Sequence, residues 1–158
     1  MLCAAASAGG ALAGCGFAPA FAPGGAATRL QGSILVDAPD SRPAYLLTRR
    51  IEERLGRADA PRYGLSYSIA LADTPIAISS SNVITRYNKL GSITWALRDL
   101  DSEKVLASGK VDSFTSYSAS GTTVATEAAE RDAEARLMAI LADQIITRLI
   151  ADAATLPA

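Results

Sequence analysis

The sequence predicts an α+β fold: a two-layer sandwich with two helices packed on one face of a four-stranded mixed sheet, in the order β-α-β-β-β-α. Three observations carry this. Four stretches alternate apolar and polar residues, the signature of strands with one buried face. Two others, Ser41 to Gly56 and Val124 to Ala153, repeat apolar residues every three to four positions, the helical period. Their order leaves two apolar helix stripes and a single sheet to bury them on, so the other sheet face meets water or a partner.

The chain opens on an Ala/Gly-rich leader ending in Leu12-Ala13-Gly14-Cys15, which reads as a lipobox. Small residues at 13 and 14 let a peptidase cleft close on extended backbone, and the next side chain is a thiol whose thiolate can take a diacylglyceryl group. Residues 1–14 are therefore expected to be a lipoprotein signal peptide and Cys15 the lipid-attachment site. Each acyl chain contributes roughly 0.8 kcal/mol per buried methylene, and two or more chains anchor stably. Residues 15–28, with Pro19, Pro23, Gly24 and Gly25, read as an extended tether.

A single domain is expected over 29–153. Leu30, Gly32, Ile34 and Val36 alternate with Arg29, Gln31, Ser33 and Leu35, giving the first strand. Ser41 is placed as a helix N-cap with Pro43 in the first turn; Leu47, Ile51 and Leu55 form the buried stripe, and Gly56 supplies a left-handed C-cap. Arg49, Arg50, Glu52 and Glu53 read as its solvated face. The second strand is expected from Tyr63 to Ala72, broken by Asp73-Thr74-Pro75. The β-branched and aromatic run from Ile76 to Leu100 is expected to be one long third strand, bent by a bulge at Gly91. A turn at Leu100 to Lys104 leads into the fourth strand, Val105 to Tyr117.

The last helix carries the stripe Ala133, Leu137, Leu141, Ile145 and Leu149, widened by Met138, Ile140, Ile146 and Ile150. Its i,i+4 pairs Glu127/Arg131 and Asp132/Arg136 add tenths of a kcal/mol each. At 1.5 Å per residue it is roughly 45 Å long. Residues 154–158 are expected to be a disordered tail.

Composition narrows the function. Of 158 residues, 49% are hydrophobic and 20% charged, which supports a real core and not a disordered chain. A net charge of −1 supplies no global basic footprint for nucleic acid, so none is expected as a partner. The absence of histidine removes the commonest general base and metal ligand, and neither metal nor cofactor is expected beyond the covalent lipid. Cys3 lies in the leader, which leaves no thiol pair for a disulfide in the processed chain. No apolar run reaches the roughly 20 residues of a membrane-spanning helix. Ser79-Ser80-Ser81 and the acidic pairs Asp99/Asp101 and Glu130/Asp132 are conceivable catalytic groups, but no Gly-x-Ser-x-Gly elbow or P-loop accompanies them, so no catalytic residues are assigned.

The lipobox followed at once by Gly16-Phe17-Ala18-Pro19, the segment Ile84-Thr-Arg-Tyr-Asn-Lys-Leu-Gly91 leading into Trp95-Ala-Leu-Arg-Asp99, the Gly109 to Tyr117 strand, and Ala128-Ala-Glu-Arg-Asp-Ala133 on the last helix together resemble the LPS-assembly lipoproteins. The resemblance implies a non-catalytic outer-membrane lipoprotein on the periplasmic side, with two helices on a four-stranded sheet. It implies a seat inside the β-barrel of the lipopolysaccharide translocon, a part in that barrel's assembly, and binding of lipopolysaccharide. The family's lipopolysaccharide-contacting arginine matches Arg86, with Lys89 as a second cation close by. A lysine that some members carry near the start of the last helix has no counterpart in Thr123 to Glu127. Gly16, where many enteric bacteria use Asp to retain lipoproteins in the inner membrane, agrees with an outer-membrane destination. The competing reading is an envelope lipoprotein of the same shape serving as adaptor for another protein or for peptidoglycan.

Overall fold

The structure, a computed structural model, describes residues 25–78, 80, 83–153 and 156. The signal peptide, Cys15 and most of the expected tether lie outside the described residues. The elements are α1 (Ala26–Leu30), β1 (Ile34–Val36), α2 (Arg42–Leu55), β2 (Tyr63–Ile78), β3 (Ile84–Asp99), β4 (Val105–Ser118) and α3 (Thr123–Asp152). The strands form one sheet in the order β1-β2-β3-β4; β1 runs parallel to β2 and the other pairs are antiparallel, so the sheet is mixed. The two-layer α+β arrangement expected from the sequence holds, with α1 as an addition.

Both long helices start where the cap chemistry places them. Ser41 Oγ accepts the Ala44 N–H at 3.4 Å and Thr122 Oγ1 accepts the Ala125 N–H at 3.2 Å, each satisfying a donor that the first turn leaves without a helical partner. Gly56 ends α2 at φ 79°, a left-handed position that glycine takes without Cβ strain. The predicted stripes are the buried ones: Leu47, Ile51 and Leu55 of α2 and Ala133, Leu137, Leu141, Ile145 and Leu149 of α3 close over Leu65, Ile93, Trp95, Leu97 and Val111 of the sheet. Ile140 is an exception: it is exposed on the outer side of α3. The helices are tied by Arg50, which donates to both oxygens of Asp143, and by Arg42 on Glu134, so Arg50 bridges helices and does not merely face solvent.

Four boundaries differ from expectation, each for a local reason. The first strand is only three residues long, because Ala27 and Leu30, three apart, form the buried side of α1, and Arg29 donates to the Ala153 carbonyl at the end of α3. The end of the expected tether is thus part of the domain. Second, Asp73-Thr74-Pro75 does not break β2. Beyond Val36 this strand has no β1 partner, so a proline there lacks no ladder bond on that side. Third, Ile76–Ile78 belong to β2, and the chain reverses before Ile84, whose partner is Ile78; the β-branched run is a hairpin and not one strand. Irregular register falls at Pro75–Ile78, whereas Gly91 pairs regularly with Leu71 and Ser113. Gly91 is there for space: a Cβ would stand 2.9 Å from Leu137 Cδ2 and Leu141 Cδ1, so α3 sits close to the sheet. Fourth, Leu156, expected in a disordered tail, joins the core.

Candidate functional site

Alternation along β3 sorts its side chains between two surroundings. Lys89, Gly91, Ile93, Trp95 and Leu97 face the helices and are buried, whereas Arg86, Leu90, Thr94 and Arg98 face outward and are exposed. Arg86 and Lys89, three apart in a strand, fall on opposite faces. The structure does not bring the two predicted cations together.

Arg86 lies on the outer face near the end of the β2–β3 hairpin, with Ala77 beside it on β2 and Ser118 on β4. It has no ion pair among the described residues. The surrounding sequence is almost neutral: no Asp or Glu occurs from Thr74 to Arg98, and no charged residue from Ser113 to Thr126. A guanidinium in this setting keeps its fork of donors for an incoming oxyanion.

Lys89 points the other way. Its ammonium donates to Asp73 Oδ2 at 2.8 Å and to Glu130 Oε1 at 3.1 Å, and its side chain is 4% exposed. Asp73 is its direct partner across the β2–β3 ladder, and Glu130 comes from the second turn of α3. The Tyr117 ring lies 5.8 Å from Nζ and is stacked on Tyr87 at 5.4 Å between centroids. Burial acts to lower the lysine's pKa, but the hydrogen bonds and charges of the two carboxylates outweigh it, and the net shift is upward. The same surroundings push Tyr117 up to about 12, through burial first and then the negative charge of Asp73 and Glu130. Lys89, expected as a second cation close to Arg86, instead lies on the opposite face and joins hairpin to helix. Reading residues 84–91 at period two would have separated it from Arg86. Neither carboxylate partner carried a local signal, since Asp73 sat in an apparent break and Glu130 in a helix far along the chain.

The conceivable catalytic groups do not converge. Ser79 and Ser81 lie outside the described residues. Asp99 accepts from the Ser102 N–H and hydroxyl at 2.8 and 2.9 Å, which pins the turn after β3 and holds its carboxyl below the usual range. Glu130 is engaged by Lys89, and Asp132 pairs with Arg136 on the same helix. Among the described residues no group of three or more Asp, Glu or Cys side chains is placed to hold a metal ion, and no helix is long and apolar enough to cross a membrane.

Several solved structures share the fold. A candidate lipoprotein from Caulobacter crescentus matches with a TM-score of 0.68 at 23% identity, over 81% of this chain and 96% of that one. Rare lipoprotein B from Shewanella oneidensis matches with a TM-score of 0.59 at 13% identity, over 78% and 96%. A minor lipoprotein from Acinetobacter baumannii gives 0.54 at 15%, over 76% and 91%. No curated protein sequence matches the chain. The family model described as LptE, lipopolysaccharide-assembly, matches residues 32–149, nearly the whole domain from β1 to the end of α3. The chain belongs to the LptE lipopolysaccharide-assembly family.

Proposed function

We propose that this protein is a non-catalytic subunit of the lipopolysaccharide-assembly machinery, held by acyl chains on Cys15 at the periplasmic side of the outer membrane. In that place it plugs the β-barrel translocon, assists the barrel's assembly and binds lipopolysaccharide as it passes. The family match over residues 32–149 carries this reading. The lipobox at Leu12–Cys15 supports the anchor, and an exposed arginine in a neutral neighbourhood supports the binding.

Arg86 acts by charge-assisted hydrogen bonding: its planar fork can donate two parallel N–H bonds to one phosphate, which a flexible lysine cannot match in geometry. Lys89 acts indirectly. By holding Asp73 and Glu130 it fixes the hairpin on α3 and so fixes the strand from which Arg86 projects.

Three measurements test the proposal. Mass spectrometry of the mature protein is expected to show a diacylated or triacylated N-terminal cysteine at position 15, and Cys15→Ala is expected to release the chain from the membrane fraction. Detergent extraction of the wild type is expected to bring an outer-membrane barrel with it. Recovery as an unacylated monomer with no barrel would overturn the proposal.

A further inference from the structure

On either side of the hairpin turn beyond Arg86, several aliphatic side chains are exposed. Ile76, Ile78 and Val83 are 49%, 62% and 57% exposed, and Val124, in the first turn of α3, is 77% exposed. These residues belong to one end of the molecule, because α3 starts just after Ala119 donates its N–H to the Thr85 carbonyl. Single exposed apolar side chains are ordinary, but several gathered on one projecting end mark a contact. Ile84, the cross-strand partner of Ile78, lies two residues and therefore roughly 7 Å from Arg86 along β3, across the irregular register at Ala77/Ile78.

We propose that this end is an acyl-chain contact, in which Ile76, Ile78 and Val83 enter the hydrocarbon of a phosphorylated, acylated glycolipid while Arg86 holds its phosphate. The inference rests on the lipopolysaccharide-binding reading of Arg86 and adds the apolar half of the site. The chemistry favours an amphiphile over a protein surface. Protein interface cores are rich in aromatic residues, Met and Arg, whereas the exposed large apolar side chains here are β-branched aliphatics with no aromatic or Met among them. Charge complementarity points the same way: one cation lies a strand step from the aliphatic groups that flank the turn, and no acid occurs from Thr74 to Arg98 to repel phosphate. Arginine suits such a boundary, since its stem lies along apolar surface while its head reaches the polar layer.

The test uses the full-length chain with two ligands, intact lipopolysaccharide and the same molecule stripped of its fatty acids. Ile78→Ser/Val83→Ser is expected to weaken binding to the intact lipid about tenfold, the scale of one to two aliphatic side chains' lost burial, and to leave binding to the deacylated phosphosaccharide at the wild-type value. Arg86→Glu is expected to weaken both. As a second readout, Ile78→Trp is expected to shift its emission to the blue with the intact lipid and not with the deacylated one, against a constant background from buried Trp95. Wild-type affinity of the double variant for intact lipid, alongside a weakened Arg86→Glu, overturns the acyl contact and leaves the arginine reading standing. Failure of wild type to bind either ligand removes both. Equal loss by the double variant on phosphatidylglycerol vesicles lacking glycolipid assigns the end to a membrane surface instead and also overturns the proposal.

Discussion

The inner face of one sheet is built from two different chemistries along its length. Toward β1 and the C-terminal half of α3, it is filled by Leu65, Trp95, Leu97 and Val111 against Leu141, Ile145 and Leu149, all buried and apolar. Toward the hairpin end, the same strands present Asp73, Lys89, Thr115 and Tyr117 to α3, and order comes from directed bonds: Lys89 to two carboxylates, and the Thr115 hydroxyl to the Ala133 carbonyl at 2.9 Å. The change falls near the start of α2, since Ser41 and Ala44 border the same cleft as Tyr67, Ser68 and Ile69. Where two helices cover the sheet, burial of area stabilises it; where α3 alone remains, paired charge takes over. A surface can then be left aliphatic and exposed at one end because the other end holds the fold.

The comparison is broken most severely at the apolar end. Leu141 is fully buried, and its Cδ1 occupies the space that Gly91 leaves open. Leu141→Ala is expected to lower unfolding free energy by about 2–5 kcal/mol, the lost transfer energy plus the cavity that stays behind. Denaturant unfolding with an unchanged m-value checks it. A loss below about 1 kcal/mol would mean that the helix collapses onto Gly91, and that the close approach of α3 is not fixed by this leucine.

At the polar end the expected effect is smaller and depends on pH. Lys89→Met keeps the unbranched stem but for its terminal atom and removes the charge, leaving Asp73 and Glu130 facing each other without a cation. Both carboxylates are partly open to water, with side chains 34% and 43% exposed, so the cost is expected near 1–2 kcal/mol at neutral pH and not the larger figure of a fully buried pair. The sign in alkali follows from linkage. Lys89 and Tyr117 both have folded pKa values above their unfolded ones, so the unfolded chain gives up these protons first. Their contribution is complete below about pH 10 and is lost as pH rises through the folded values, about 12 for Tyr117. The wild-type thermal midpoint is expected to fall across that window, and Lys89→Met to fall less steeply. Equal slopes would show that the triad does not titrate with folding.

The same contrast sets what was legible in the sequence. Burial writes itself into periodicity, so the stripe of α3 and the stripe of α2 were readable, as were the Ser41 N-cap and the sheet the helices cover. The hairpin was not, because Ile76, Ile78, Val83 and Ile84 have the same β-branched character on either side of the reversal and Pro75 sits where a strand should end. α1 was hidden by an alternation at residues 29–36 that mimics a strand; only the spacing of Ala27 and Leu30 points to a helix. Of the site, Arg86 was marked by resemblance. The fate of Lys89 turned on a carboxylate 41 positions away, a contact that no local pattern encodes.

Arg86 supplies the smallest expected change in stability and the sharpest separation of the two ends. It is exposed on the outer face, its outward neighbours Ala77 and Ser118 are uncharged, and no carboxylate among the described residues pairs with it. Reversing its charge removes no ion pair there and opens no cavity, so Arg86→Glu is expected to shift unfolding free energy by less than about 0.5 kcal/mol, the range of ordinary surface substitutions. The same reversal replaces a phosphate-matching fork with an acceptor that repels phosphate, and equilibrium binding to lipopolysaccharide is expected to weaken by about tenfold or more, the scale of a lost charge-assisted bond. Intact stability with lost binding is what a residue outside the core and inside a contact must show. Lost stability with intact binding would place Arg86 among the elements that hold the hairpin and shift the contact to another part of the outer face.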